Sequence, residues 1–295
     1  MSIERTGDAR ILAGTPAVVS VQFYQAGVEA DPGTVSVVIA RADGSVMTPV
    51  ASVAGEGTDP RTLALSADET TEIDLLTLRW TSEELGTVVT RAEIVGDRLF
   101  TLAQARAFDN GALANTTTYP DAAIEEARTR IEDAFAAICE VSFIPRFEVE
   151  VLSGSAQAAL LLNRFRIQAV RFVEIREANT NTWTALTESE REWLELESWG
   201  GLWRRPTGWP SGYRNIRVGY VHGHDPMPPE IRRAGLILAR YELVSSNLSD
   251  RATSFSDESG TYRMATAGLT RGSWFGLPLV DSVLQRHIDR VPRVG

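Results

Sequence analysis

The spacing of apolar residues switches twice along this chain, and that switch narrows the possible folds more than any other feature. Up to about residue 95 they alternate, as in Val19-x-Val21-x-Phe23, Val35-x-Val37-x-Ile39 and Leu63-x-Leu65. Further runs lie at Leu75 to Trp80 and Val88 to Val95. A period of two puts one face of each strand inward. Asp31-Pro32-Gly33, Asp43-Gly44 and the Gly55 to Pro60 stretch supply turns between these runs. Short strands with regular turn signals predict a β-sandwich of immunoglobulin type over residues 1–96, without a Cys-Trp-Cys core.

The period then changes to three and four. Ile124, Ala127, Ile131, Ala134, Phe135 and Ile138 fall on one helical face and form the expected core packing. Glu125, Glu126, Arg128, Arg130, Glu132 and Asp133 cover the other. Thr118-x-x-Asp121 reads as a capping box, with Pro120 in the first turn and Pro145 as the terminator. The polar stretch before this helix, residues 97–118, reads as a linker.

Alternation returns between 147 and 222, at Val149-x-Val151, Leu160-x-Leu162, Val170 to Ile175 and Ile216-x-Val218-x-Tyr220. Trp199, Trp203, Trp209 and Tyr213 are interspersed with Gly and Pro there. A second helix is expected from Pro228 to Ser246, with Ile231, Ala234, Leu238 and Tyr241 on one face. Residues 247–273 are dominated by Ser, Thr, Asp, Gly and Arg. Such composition does not by itself offset ordering entropy. After this tether, Trp274-Phe275-Gly276-Leu277-Pro278 opens a last helix carrying Val280, Val283, Leu284 and Ile288. An apolar helix on a polar tether docks either on its own chain or in a partner's groove. The expected class is therefore α+β and multidomain.

Chemistry-bearing motifs are sparse. The net charge is −10, and all basic side chains are arginine, which argues against a protein that grips phosphates. The one cysteine, Cys139, lies in the helical stripe and reads as a small core residue. No run reaches the roughly 18 apolar residues of a membrane helix. Met1 to Arg5 lacks the layout of a secretory signal, so the protein is expected to stay in the cell that makes it. His222-Gly223-His224-Asp225 is the one histidine cluster, without a third ligand at a recognisable spacing. Ser153 lacks the glycine frame of a nucleophile elbow. No cofactor and no enzymatic activity are expected.

Several motifs come in a recognisable order. Glu93-x-Val95-Gly96-x-x-Leu99-Phe100-Thr101-Leu102-x-x-x-Arg106 precedes Tyr119-Pro120-Asp121-x-x-Ile124-x-x-Ala127-Arg128. Phe143-Ile144-Pro145-Arg146, Val218-x-Tyr220-x-x-Gly223 and Pro229-x-Ile231-x-x-Ala234 follow. Gly276-Leu277-Pro278-x-Val280-Asp281-x-Val283-Leu284 closes the set. In this order they resemble the head-to-tail adaptor (connector) proteins of long-tailed siphophages, in particular those of high-GC actinobacteria, over about residues 93 to 291.

The resemblance implies a structural virion protein at the capsid–tail junction, assembled in the host cytoplasm. Such adaptors form a ring of identical subunits, twelve in number, beneath the portal protein. A stopper or tail-completion protein lies below, and DNA passes through the channel during ejection without sequence-specific binding. No membrane is involved. Under this reading residues 119–246 are the adaptor domain, and 247–295 are a tether with a portal-docking helix. The portal interface would comprise Trp274, Phe275, Leu277, Val280, Val283, Leu284 and Ile288. Ending the chain at Gly272 is expected to abolish portal binding and leave the rest folded. Two alternatives compete. One is a carbohydrate-binding adhesin using the sandwich and the Trp-rich stretch. The other is a metal-dependent hydrolase built on His222, His224 and Asp225.

Overall fold

The computed structural model describes residues 9–49, 51–176, 182–244, 254–257, 260–263 and 274–288. The chain is α+β and divides into two compact units whose sequences interleave. Met1–Asp97 and Pro145–Gly223 form the first; Arg98–Ile144 and His224–Gly295 form the second. The single stretch 119–246 expected as one domain is thus shared between them. Most of the tether expected at 247–273 lies outside the described residues.

The first unit begins with nine strands: β1 (Ala9–Leu12), β2 (Ala17–Val21), β3 (Tyr24–Gln25), β4 (Val28–Glu29), β5 (Val35–Ala40), β6 (Val46–Met47), β7 (Arg61–Leu65), β8 (Asp74–Ser82) and β9 (Gly86–Val95). One sheet has the order β1-β9-β8-β5-β6, with β1 parallel to β9; β2 and β7 form the other. With β5, β8 and β9 in one layer and β2 and β7 in the other, the pairing is that of an immunoglobulin sandwich. Val19, Val21, Leu63 and Leu65 from one sheet meet Ile39, Leu76, Leu78, Trp80 and Ile94 from the other in one core. Trp80 is fully buried, and its indole N–H donates to Thr90 Oγ1 at 2.9 Å, leaving no polar atom unpaired in the apolar layer. Arg61 is buried as well. It is held by Asp31 and by the carbonyls of Asp59, Gly57 and Gly33, which ties the turns expected at 31–33 and 55–60 to β7.

The same unit resumes at Pro145. Gly96 N–H donates to Pro145 O at 2.9 Å, and Arg146 pairs with Glu93, its Nε 2.5 Å from Oε1. A Cβ on Gly96 would come within 2.8 Å of Ile73 and Pro145, so this close approach needs glycine. Because Arg98–Ile144 of the second unit comes between these strands in sequence, the chain leaves the first unit and returns to it. Strands β10 (Arg146–Gly154), β11 (Ala159–Leu161), β12 (Ile167–Arg176) and β13 (Trp183–Ala185) follow. A short helix precedes β14 (Leu194–Leu196), β15 (Gly201–Arg204) and β16 (Gly212–His222). They form a four-stranded sheet, β10-β16-β12-β13, and a three-stranded sheet, β11-β15-β14. Leu160, Leu202, Trp209, Ile216, Val218 and Tyr220 fill a second core between them.

The second unit is helical. Residues 97–118, expected as a linker, carry an N-terminal helix, Leu102–Ala107, and send Leu99, Phe100, Ala105 and Leu113 into the core. Their polar neighbours had masked these four apolar residues in sequence. We label this helix α1, and the long one that follows, Asp121–Cys139, α2. Thr118 does not cap α2. Its N-cap is Pro120, and Asp121 is instead gripped by Arg106, which also donates to Tyr119 O at 2.8 Å. The helix stops at Cys139, six residues before Pro145, because Glu140 takes a left-handed conformation at φ 58°. Ile124, Ala127, Ile131 and Phe135 are fully buried and Ile138 is half-buried.

Arg128 and Glu132, expected on the solvent face of α2, are buried. Glu132 accepts the Leu99 N–H at 2.8 Å, and Arg128 donates to Phe100 O at 3.1 Å. A buried, non-helical backbone at 99–100 needs such partners, and α2 supplies them from its flank. With Glu188–Arg191 as α3, the next helix is α4, Pro229–Leu243. Ile231, Ala234, Gly235, Leu238 and Ala239 face inward, while Tyr241 is exposed, against expectation. Leu99 takes the space a side chain at Gly235 would need, 2.4 Å from where its Cβ would stand. A hairpin, β17 (Ser254–Asp257) and β18 (Gly260–Arg263), precedes α5, Pro278–His287.

Candidate functional site

The candidate portal-contact residues all belong to α5 and the turn before it. Pro278 starts the helix, where a missing N–H is no loss. The Asp281 carboxylate reaches back and accepts the N–H groups of Trp274 at 3.2 Å and Phe275 at 3.1 Å. The aromatic pair is thereby folded onto the helix that follows it. Asp281 itself is buried.

The structure seats α5 on its own chain, against α2 and α4. Val280 and Leu284 are fully buried, and Trp274, Phe275, Leu277, Val283 and Ile288 pack half-buried against the same core. Phe275 meets Phe135 edge to face at 5.9 Å between centroids. Cys139 Sγ lies 3.6 Å from Leu284 O, so the one thiol is a core contact. His287 Nε2 is 3.0 Å from Glu230 Oε1, and its ring meets Phe143 at 5.8 Å. The backbone N–H at its own position, together with His287, holds the Glu230 carboxyl below the usual carboxylate range. The inward face of α5 is thus occupied within the chain. Ending the chain at Gly272 would remove the contacts that cover Phe135 and Cys139.

The Trp-rich stretch divides by depth. Trp209 is buried and donates to Leu202 O at 3.1 Å. Leu202 pairs with Leu160 and Leu196 on the inner face of the three-stranded sheet, so Trp203, Glu195 and Ala159 point outward. Arg205 covers the Trp203 ring at 5.2 Å and reaches Glu195 at 3.7 Å. Trp193, Trp199 and Tyr213 are 63%, 50% and 80% exposed. Trp183 lies between the guanidinium groups of Arg176 and Arg217.

A buried polar network in the β10-β16 sheet was not visible in sequence. Glu150 accepts from Tyr220 and from the backbone and side chain of Asn163. Glu148 is engaged by Arg164 at 2.7 Å and lies 3.5 Å from His222 Nε2. Burial works against the Glu148 charge, but its bonds to His222 and Arg164 outweigh that and hold the carboxyl at about 2. Burial and the bond to Glu150 push the Tyr220 hydroxyl well above its ordinary value. A strand period of two places Glu148 and Glu150 on one face, which was the only signal available. With Glu148 held ionised by His222 and Arg164, and Glu150 bound by three donors, the network ties β10 to β16 and to the 163–164 segment.

The histidine cluster is separated. His222 belongs to the network in the first unit, whereas His224 belongs to the helical unit and stacks on Phe143 at 5.2 Å. Among the described residues, no three His, Cys, Asp or Glu side chains gather as a metal ion would require. No helix among them is long and apolar enough to cross a membrane.

No protein-family model and no curated protein matches the chain. Among solved structures it is similar to a chain in the neck of a native GTA particle computed with C12 symmetry. The identity is 13%, over 68% of this chain and 98% of that one, at a TM-score of 0.41. A chain in the neck of an empty GTA particle computed with C6 symmetry is similar at 14% identity, over 59% of this chain and 82% of that one, at 0.40. The ZIG-8 IG1 homodimer shares 12% identity over 33% of this chain and 85% of that one, at 0.23. Likeness this distant leaves the functional reading to the residues themselves.

Proposed function

We propose that this chain is a non-enzymatic structural protein of a phage-type neck, a connector that forms a ring joining capsid to tail and continues the DNA channel. One observation carries the reading. Several of the scattered residues that resemble the siphophage adaptors meet one another in the fold: Glu93 with Arg146, Gly96 with Pro145, Arg106 with Asp121, and Arg128 with Phe100. Motifs placed by chance would not be expected to meet so consistently. In this reading twelve copies close head to tail. The portal protein binds above and a stopper or tail-completion protein below, at the capsid–tail junction. DNA slides through without base contacts, which the net charge of −10 favours if acidic side chains line the channel.

The proposed portal contact is redistributed by the seating of α5. Trp274, Phe275, Leu277, Val283 and Ile288 keep part of their surface, and Leu279 beside them is 68% exposed. Val280 and Leu284 could take part only if α5 left its groove. Native mass spectrometry of the protein, alone and with its portal, tests the reading. A twelve-copy ring formed on the portal is the expected result; a single-copy protein that ignores the portal overturns it.

A second reading, glycan binding, is favoured by the exposed Trp193, Trp199 and Tyr213. It would gain if glycan arrays bound the protein and exchange of Trp193 and Trp199 for alanine removed the signal.

A further inference from the structure

The helical core consists of two parts joined by far more chain than their contact requires. The first part is the module 274–287. Asp281 ties Trp274 and Phe275 to the helix, so this piece carries its own internal tie and its own aromatic anchor. The second is the groove that receives it, built by α2, α4 and the segment after α2. It presents Phe135, Cys139, Phe143 and Glu230 to the module. Among the described residues, the contacts that seat α5 lie chiefly with α2 and α4.

The connection between them occupies residues 244–273, within which β17 and β18 pair as a hairpin. Helices packed side by side are usually joined by about 2–8 residues. The residues outside the hairpin, 244–253 and 264–273, can span up to about 70 Å when extended, several times the separation of packed helices. The longer such a connection, the lower the effective concentration of α5 at its own groove.

From these observations we infer that α5 is an exchanged segment: in the assembled protein it seats in the groove of a second copy of this chain. The contacts are the same in either arrangement, so nothing is lost on exchange. Closed head-to-tail assembly lets each copy give one α5 and receive one, leaving no groove open. A copy that gave α5 away and received none would turn Phe135 and Cys139 to water, which is why the partner must be this same chain. The inference goes beyond the connector reading and rests on it only in requiring more than one copy.

The sole native cysteine provides the test. Leu284→Cys puts a second thiol on the residue whose carbonyl lies 3.6 Å from Cys139 Sγ, and within one chain 139–284 is the one cysteine pair; peptide mapping tells it from 139–139 and 284–284 links between chains. Labelled (15N) and unlabelled chains carrying this change are mixed, assembled with and without portal protein, and oxidised. Non-reducing gels and mass spectrometry of the linked peptides then report which chains are joined. Exchange predicts a covalent ladder, with mixed-isotope peptides as abundant as the two same-isotope kinds together. Links confined to single chains overturn it. So does the absence of any link, because α5 would then not occupy the groove at all. If Leu284→Cys does not fold, Val283→Cys with a bismaleimide spacer gives the same readout. A protein that assembles on the portal but links only within chains loses the exchange and keeps the connector reading. One that stays single-copy under both conditions loses both.

Discussion

The immunoglobulin-type sandwich and the helical core bury comparable kinds of side chain but assemble them in opposite ways. The sandwich draws its whole core from one run, β1 to β9, in which strands consecutive in sequence are mostly joined by short connections. The helical core is collected from three separate stretches: residues 99–143, α4 and its approach, and α5. Its last piece returns only after residues 244–273. A core made from one run depends on local pattern and turns. A core gathered from distant pieces depends on each piece arriving, and so can be opened by removing its last one.

The strongest way to break this contrast is to end the chain at Gly272. That removes Val280 and Leu284, each worth about 1.5–3 kcal/mol of burial, together with the half-buried aromatics before them. The helical core should lose at least about 5 kcal/mol, while the sandwich keeps its native signals. Residue-resolved hydrogen exchange separates the two. Equal protection of α2 and α4 in both forms would show that α5 is a passenger.

The counterpart in the sandwich is Trp80→Ala, which empties the centre of the core and leaves Thr90 Oγ1 without its donor. A loss of about 3–5 kcal/mol is expected, read by denaturant unfolding. The comparison is sharpened if hydrogen exchange shows the loss in β5, β8 and β9 and unchanged protection in α2. A loss spread evenly over both cores would merge the two regions into one cooperative body.

A smaller effect distinguishes the β10-β16 network from both cores. Glu148 is held at about 2, against 4.5 for a free glutamate, so its contribution is fully present above about pH 4.5. It is lost as pH falls towards 2, because the unfolded chain then takes up a proton that the native state resists. Allowing for its partial exposure, the contribution is on the order of 1–2 kcal/mol. His222→Ala should reduce it by removing one of the two partners. Acid titrations of the two proteins, followed by stability at each pH, check this. An unchanged acid limb would mean that Arg164 suffices.

Much of the sandwich was legible because a period of two needs only neighbouring residues to be read. Val19, Val21, Ile39, Leu63, Leu76 and Trp80 all lie in strands that alternation marks. β1 was missed: it pairs with β9 at the far end of the domain, and its short Arg10-Ile11-Leu12 run has no alternation of its own. The inward stripe of α2 was equally legible, yet Arg128 and Glu132 were placed in solvent. Periodicity sorts residues by polarity, and it cannot foresee that a buried backbone at 99–100 will need a charged flank. Leu99, Phe100, Ala105 and Leu113 were hidden within a polar stretch for a related reason. Isolated apolar residues give no period until another segment covers them.

The candidate site shows the same division. Trp274 to Ile288 could be recognised from sequence as an apolar helix after a polar stretch, and its need for a docking surface followed from burial alone. Which surface it takes did not follow, because α2, α4 and any partner groove present similar apolar chemistry. By itself the sequence determined the alternating and helical periods, the α+β class, the near-absence of catalytic motifs and the existence of a final apolar helix. These depend on side-chain type and spacing along one element. Only the tertiary structure decided that the chain interleaves two units, that Glu148 and Glu150 are saturated, and that Val280 and Leu284 complete a core with Phe135. Those outcomes depend on which distant surfaces meet, and burial energy is non-directional: it demands a partner without naming one.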